Sequence, residues 1–243
     1  MDRRPDSNLF FLVDVSGSMS LYNKLPLLKQ CLTSLTRGLT ERDFVSIVVY
    51  SGESRVVLEL TSGNDKSEIL STIDSLQSGG STNGESGIQL AYDLAKKHPR
   101  PNGSNRVLLA TDGDFNVGVT STPKLIEMAK KRAKDDHIFL TVLGFGQGNV
   151  QDDRMEQLAN QVDGAYHYID SEQEGRKVLI EEMSATLVTT AKDVKPQVEL
   201  QSHQSEEVTF DWLRQSTVKK SRFPRSYEGC WRHGRRPSSD GVL

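Results

Sequence analysis

What this chain lacks narrows its possibilities before any motif is read. It holds only two cysteines, Cys31 and Cys230, too few for a disulfide framework. Cys31 falls on or beside the apolar face of a predicted helix, so a buried and inert thiol is expected there. No apolar run approaches the length of a membrane span, and Met1-Asp2-Arg3-Arg4-Pro5 is not followed by the apolar core of a signal peptide. Neither sign of charge dominates. Thirty Lys and Arg stand against 33 Asp and Glu, a formal net charge of −3, which removes any global argument for a nucleic-acid or membrane partner. What remains is 243 residues, 35% hydrophobic and 26% charged, enough for one sizeable α/β domain with something left over.

The chain is organised around Asn8-Leu9-Phe10-Phe11-Leu12-Val13-Asp14-Val15-Ser16-Gly17-Ser18-Met19. The apolar run reads as a strand buried on both faces. Asp14 then stands at its carboxyl end, with Ser16 and Ser18 on the turn before the next helix. Ligands of open α/β sheets bind at such strand ends. Three hard oxygen donors gathered there suit Mg²⁺ or a similar divalent cation.

Leu25, Leu28, Leu32, Leu35 and Leu39 then recur at helical spacing, which places Lys24, Lys29 and Arg37 toward solvent. Pro26 falls in the early turns, where a missing N–H costs little. Residues 43–50 form a β-branched strand and 55–60 another. The connection Ser51-Gly52-Glu53-Ser54 is too short for a parallel crossover, so this pair is antiparallel. A helix over 65–76 turns Ile69, Leu70, Ile73 and Leu76 inward, and the loop Gly79-Gly80-Ser81-Thr82-Asn83-Gly84 precedes a helix that buries Ile88, Ala91, Leu94 and Ala95. A strand over 106–110 leads to Thr111-Asp112-Gly113. Thr122-Pro123 opens a helix with Leu125, Ile126, Ala129 and Ala133 toward the sheet and Lys130, Lys131, Arg132 and Lys134 solvated. A strand over 137–143, a helix near 153–160, a strand over 165–169 and a last helix from 171 to about 189 complete the pattern. The result is a doubly wound, mainly parallel six-stranded sheet with one antiparallel edge strand and helices on both faces. It occupies residues 7–190. Residues 191–243 read as a largely irregular tail or the start of a further domain, with Trp212, Trp231 and several arginines but neither a stacking platform nor zinc spacing.

Three pieces occur in order: D-x-S-x-S at Asp14, Ser16 and Ser18; Gly79-Gly80-Ser81-Thr82-Asn83; and the strand end Val107-Leu108-Leu109-Ala110-Thr111-Asp112-Gly113. Together they resemble the metal-ion-dependent adhesion site of the von Willebrand factor type A domain, a Rossmann-like fold. The resemblance implies that Ser16 and Ser18 bind the metal directly, Thr82 and Asp112 directly or through water, and Asp14 mostly through water. It also implies one coordination position left open for an Asp or Glu carboxylate of a partner protein. Mg²⁺ is the expected ion, with Mn²⁺ and Ca²⁺ as alternatives. Phe44-Val45-Ser46-Ile47-Val48, the run from Ala110-Thr111-Asp112-Gly113-Asp114-Phe115-Asn116 to Val117-Gly118-Val119, Leu143-Gly144-Phe145-Gly146, and Leu187-Val188-Thr189 with Ala191-Lys192-Asp193-Val194 extend the resemblance to a bacterial subfamily. Its members are typically cell-envelope proteins. The chain is accordingly read as a fragment of a longer secreted or anchored protein, with no direct membrane insertion of its own.

Competing readings are weaker on chemistry. Asp, Ser and Thr cap helices without any metal, which would explain any one of these residues but not the set. A haloacid-dehalogenase-type phosphatase needs a second carboxylate where Ser16 stands. Ser16 is not in the G-x-S-x-G elbow of a serine hydrolase, and His98, His137 and His167 read as surface or strand-end residues. A hydrolase that uses the same ion to activate water is the alternative function, and it lacks a convincing general base. Asp112-Gly113-Asp114-Phe115-Asn116-Val117-Gly118 fails as an EF-hand, because its glycine is one place late and Pro123 stands where the bidentate glutamate belongs. Asp114 and Asn116 are turn residues or orienters of the ligands. Gly144-Phe145-Gly146-Gln147-Gly148 is a strand-to-loop turn rather than a dinucleotide fingerprint. The expectation is therefore a metal-dependent protein-binding module and not an enzyme.

Overall fold

The computed structural model describes residues 6–101, 103–113, 122–146, 152–162 and 164–182. Its strands are β1 (Ser7–Asp14), β2 (Asp43–Tyr50), β3 (Ser54–Ser62), β4 (Ser104–Thr111), β5 (Ile138–Phe145) and β6 (Ala165–Ile169). They form one six-stranded sheet in the order β3-β2-β1-β4-β5-β6. Every pairing is parallel except that of β2 with the edge strand β3. This is the mainly parallel α/β sheet with one antiparallel edge that the alternation of patterns predicts.

The helices are α1 (Leu25–Gly38), α2 (Lys66–Ser75), α3 (Gly84–Lys97), α4 (Thr122–Asp135), α5 (Asp152–Gln161) and α6 (Glu172–Arg176). The period-two alternation of a strand decides which layer each residue joins. On β1, Leu9, Phe11 and Val13 pack with Leu28, Cys31 and Leu32 of α1 and Ile69 and Ile73 of α2. Phe10 and Leu12 face the other way, onto Ile88, Ala91, Tyr92 and Ala95 of α3, with Ala129 of α4 and Ala159 of α5 beside them. β1 is buried along its whole length, and each Leu or Phe so covered contributes roughly 1.5–3 kcal/mol.

The chain winds outward from β1 through β2 to β3, then returns across β1 to continue on its other side as β4. The order therefore reverses between β1 and β4. Crossovers leave in opposite directions there, and a crevice opens at the carboxyl ends of the two strands. Asp14 ends β1, and Asp112 follows β4 directly.

Three details depart from the sequence reading. The last helix is not one α-helix from 171: after the five residues of α6 the backbone widens into a π-helical turn over Lys177–Glu182. The wider turn keeps the adjacent Val178 and Leu179 both buried against the α1 layer. Arg132 is not a solvated residue, since its guanidinium is half-buried and pairs with Asp136 at 3.0 Å and Asp93 at 3.3 Å. Lys24 does not point to solvent either, as described below. The tail assigned to 191–243, Cys230, Asp114 and Asn116 lie outside the described residues. Among the described residues no helix is long and apolar enough to cross a membrane.

Candidate functional site

The site begins where β1 stops. Asp14 is fully buried, and its Oδ1 accepts a hydrogen bond from the Ser16 N–H at 2.8 Å. That is an Asx-type turn, in which the side chain takes over from the ladder and reverses the backbone. Gly17–Ser20 then winds into one 3₁₀ turn. Met19 drops from this turn into the core with no exposure. Its burial pins the turn from below and leaves Ser16 Oγ and Ser18 Oγ 3.1 Å apart. Ser16 is buried and Ser18 half-buried, so the hydroxyl pair runs from the interior toward the surface.

The other oxygen of Asp14, Oδ2, accepts from the Tyr50 hydroxyl at 3.1 Å and the Thr111 hydroxyl at 3.2 Å. Thr111 Oγ1 in turn accepts from the Gly113 N–H at 3.2 Å, which leaves its own proton for Asp14. Tyr50 stands directly opposite Asp14 in the parallel β1–β2 register. It is wedged in place by α3, where a Cβ on Gly87 would lie 2.9 Å from the tyrosine's own Cβ and 3.1 Å from Leu12 Cδ1.

The glycine-rich loop is stitched to the serine turn by backbone alone. Gly79 N–H donates to the Val15 carbonyl at 2.7 Å, and Gly17 N–H donates to the Gly80 carbonyl at 3.1 Å. Gly80 has a φ of +80°, the left-handed conformation that only glycine adopts freely. Asn83 N–H donates to the Ser51 carbonyl at 2.6 Å, tying the loop's far side to the β2–β3 turn. Thr82 lies on this loop, half-buried, just before the first turn of α3. Among the described residues its hydroxyl makes no hydrogen bond to the other four candidates.

Asp112 is buried, and its Oδ2 receives the ammonium of Lys24 at 2.8 Å. Asp112 is close enough to Asp14 for each charge to oppose the other. Burial is the largest influence on Asp14 and pushes its carboxyl above the usual range, with the Asp112 charge adding to it; the hydrogen bonds from Ser16 and Tyr50 pull the other way. Tyr50 is driven well above its ordinary value by burial and by the Asp14 carboxylate.

Four of the five residues singled out from sequence thus sit around the carboxyl ends of β1 and β4, with Thr82 on the loop bonded to the first turn. Among the described residues no three His, Cys, Asp or Glu gather in one place, so the donors on offer are carboxylates and hydroxyls. That set fits a hard divalent cation and not a thiolate- or imidazole-bound metal. Three participants escaped the sequence reading. Tyr50 would have been found by aligning the parallel strands β1 and β2, and Thr111 by its place just before Asp112. Lys24 carried only the weak signal of standing one residue before a helix that opens Leu25-Pro26.

The profile of the von Willebrand factor type A domain matches residues 8–184. The chain belongs to this family. Its match to the uncharacterized protein YfbK of Escherichia coli is 47% identical over 195 residues, 80% of this chain and 34% of that protein. The chain therefore spans about a third of that relative's length. Two solved structures share the fold. An aerotolerance-related membrane protein from Bacteroides fragilis aligns with a TM-score of 0.59 at 20% identity, covering 74% of this chain and 99% of that one. A manganese-loaded Plasmodium vivax TRAP protein aligns with a TM-score of 0.54 at 24% identity, covering 74% and 73%. In this type A domain the serine turn, the glycine-rich loop and the end of β4 all fall inside the matched residues.

Proposed function

We propose that this domain is a protein-binding module that holds a divalent cation, Mg²⁺ or failing that Mn²⁺ or Ca²⁺, between Ser16, Ser18, Thr82, Asp14 and Asp112. When bound, the ion supplies a positive centre with an open position that accepts an Asp or Glu carboxylate from a partner protein. The observation that carries the reading is the electrostatic one: two buried carboxylates from neighbouring strands share a crevice floored by paired serine hydroxyls. Such a pair is costly to keep ionised, and the single Lys24 ammonium on Asp112 answers only one of the two charges.

The chain's own residues divide the work. Tyr50, Thr111 and the Ser16 N–H occupy both oxygens of Asp14, so Asp14 acts as an oriented negative charge and reaches an ion best through water. Ser16 and Ser18 present neutral oxygens, which leave the ion's charge undiminished for a partner. Thr82, at the start of α3, brings a third hydroxyl beside the positive end of a helix. The manganese in the related TRAP structure and the membrane origin of the Bacteroides fragilis relative support a metal-dependent role at the cell envelope. The module spans residues 7–190, with the tail beyond it, and we read it as a binder rather than an enzyme.

Calorimetric titration with Mg²⁺ and Mn²⁺ tests the site, followed by capture of partners from cell-envelope extract with and without EDTA. One equivalent of ion and EDTA-sensitive capture are expected. Capture that ignores EDTA would defeat the bridging role.

A further inference from the structure

Lys24 is the candidate that the proposed function leaves unused. Its backbone is fixed at the threshold of α1, where its N–H donates to the Leu21 carbonyl at 3.0 Å and its carbonyl accepts from the Leu28 N–H at 2.8 Å. From there the aliphatic stem crosses the carboxyl end of β5 over Gly146. That glycine has a φ of +104°, and a Cβ on it would lie 2.9 Å from Lys24 Cε and 3.3 Å from Cγ. The missing side chain is the groove in which the lysine lies. Tyr168 donates its hydroxyl to the Gly146 carbonyl and holds that groove in place. The ammonium ends 2.8 Å from Asp112 Oδ2, with the lysine side chain 13% exposed and the aspartate 1%. A lysine gives up much rotamer freedom, and an ammonium much hydration, to reach such a place. It does so only where negative charge awaits it.

We propose that Lys24 is a tethered monovalent cation that occupies the charge of Asp112 and competes with the divalent ion for it. The inference rests on the metal-site reading above. One carboxylate cannot give its full charge to both, and a positive group a few ångströms from a divalent ion repels it. Even with water-like screening the repulsion at about 5 Å weakens binding by roughly tenfold, and more with protein-like screening. Loading therefore moves the ammonium off Asp112 and out of the Gly146 groove. Lys24 sets the ion concentration at which the module switches on, and it carries that change to the start of α1. A lysine with a permanent structural role would instead stay paired when the ion enters.

Mn²⁺ titration followed by calorimetry, with the free-ion EPR signal as a check, compares the wild type with K24M, K24Q, K24R and S16A. K24M keeps most of the stem that fills the groove and drops the charge, K24Q is shorter and neutral, and K24R keeps the charge. K24M and K24Q are expected to bind Mn²⁺ about tenfold or more tighter than the wild type, and K24R about as weakly as the wild type. An independent readout needs no substitution. In amine acetylation followed by mass spectrometry on the wild type, Lys24 should be protected without metal and become reactive at saturating Mn²⁺. Equal affinity in wild type, K24M and K24Q, with binding lost in S16A and Lys24 protected throughout, would overturn the competition and leave the metal site standing. No Mn²⁺ binding at millimolar concentration in any of these proteins, K24M included, would overturn the metal site and the competition with it.

Discussion

The two ends of β1 carry equally buried polar groups and put them to opposite uses. At the amino end, Asp43 accepts hydrogen bonds from the Ser7 hydroxyl at 2.5 Å, the Thr40 N–H at 2.9 Å and the Thr40 hydroxyl at 3.0 Å. Nearby, Asn8 donates to the His98 carbonyl at 2.8 Å, and Asn105 both accepts from and donates to the backbone of Arg100. These bonds lace neighbouring strands and loops together, and among the described residues no second buried carboxylate joins them. At the carboxyl end, Asp14 is as well supplied with donors, yet Asp112 stands beside it and a lysine is drawn in from solvent. A buried carboxylate whose charge is answered locally is structural. One whose neighbour is also negative has attraction to spare for a cation.

The comparison can be broken most forcefully at its structural end. Asp43→Ala strands the Ser7 and Thr40 donors, and should cost about 3 kcal/mol or more in urea unfolding, the same with EDTA or Mg²⁺ present. Ser16→Ala acts at the other end: it should lower metal affinity at least about tenfold in calorimetry, a loss of about 1.4 kcal/mol, while the melting temperature in EDTA hardly moves. Asp112→Ala should also weaken metal binding with the fold intact. An unchanged metal titration in both variants would remove the distinction between the ends.

Asp14→Asn sharpens the contrast by sign. Because the folded carboxyl lies above its ordinary value of 3.8, the native state holds that proton more tightly than the unfolded chain. The associated stability is complete below that ordinary value and is lost as pH rises through the folded value. Above that range an ionised Asp14 is a burden on the fold, and D14N should profit less than the wild type from added Mg²⁺ in thermal melts. The smallest effect is expected at Cys31, buried in the α1 layer with its thiol pushed up to about 12 by burial. Native protein should resist iodoacetamide at pH 8 and react on unfolding. The stability tied to this thiol is complete below its ordinary value near 9.0 and fades only as pH climbs toward the folded value.

Sequence periodicity carried most of the fold. The bounds of β2 and β6 emerged residue for residue, because β-branched and aromatic runs end there in turn-forming residues. The antiparallel edge followed from a connection too short for a crossover. The candidate site was legible to the extent that it is written in local spacing: Asp14, Ser16 and Ser18 lie within one turn. What could not be read is what arrives from elsewhere in the chain. Lys24 sits in the helical pattern of α1 and by that pattern belongs to the solvent side; only the distant Asp112 and Gly146 explain why it turns inward. Tyr50 looked like an ordinary strand residue until the register put it across from Asp14. The change of pitch after α6 had no sequence marker, since Val178 and Leu179 suit an α-helix equally well.

The contact between Gly87 and Tyr50 has a consequence for how such a module is tuned. The phenol can reach Asp14 only while α3 lies flush against the sheet, and α3 lies flush only because residue 87 has no side chain. A single methyl there would lift the helix, slacken the tyrosine and loosen the carboxylate behind the serines, without touching any group that meets an ion. Affinity at the rim can thus be dialled from the far face of a helix, by a residue that no inspection of the ligand shell would nominate.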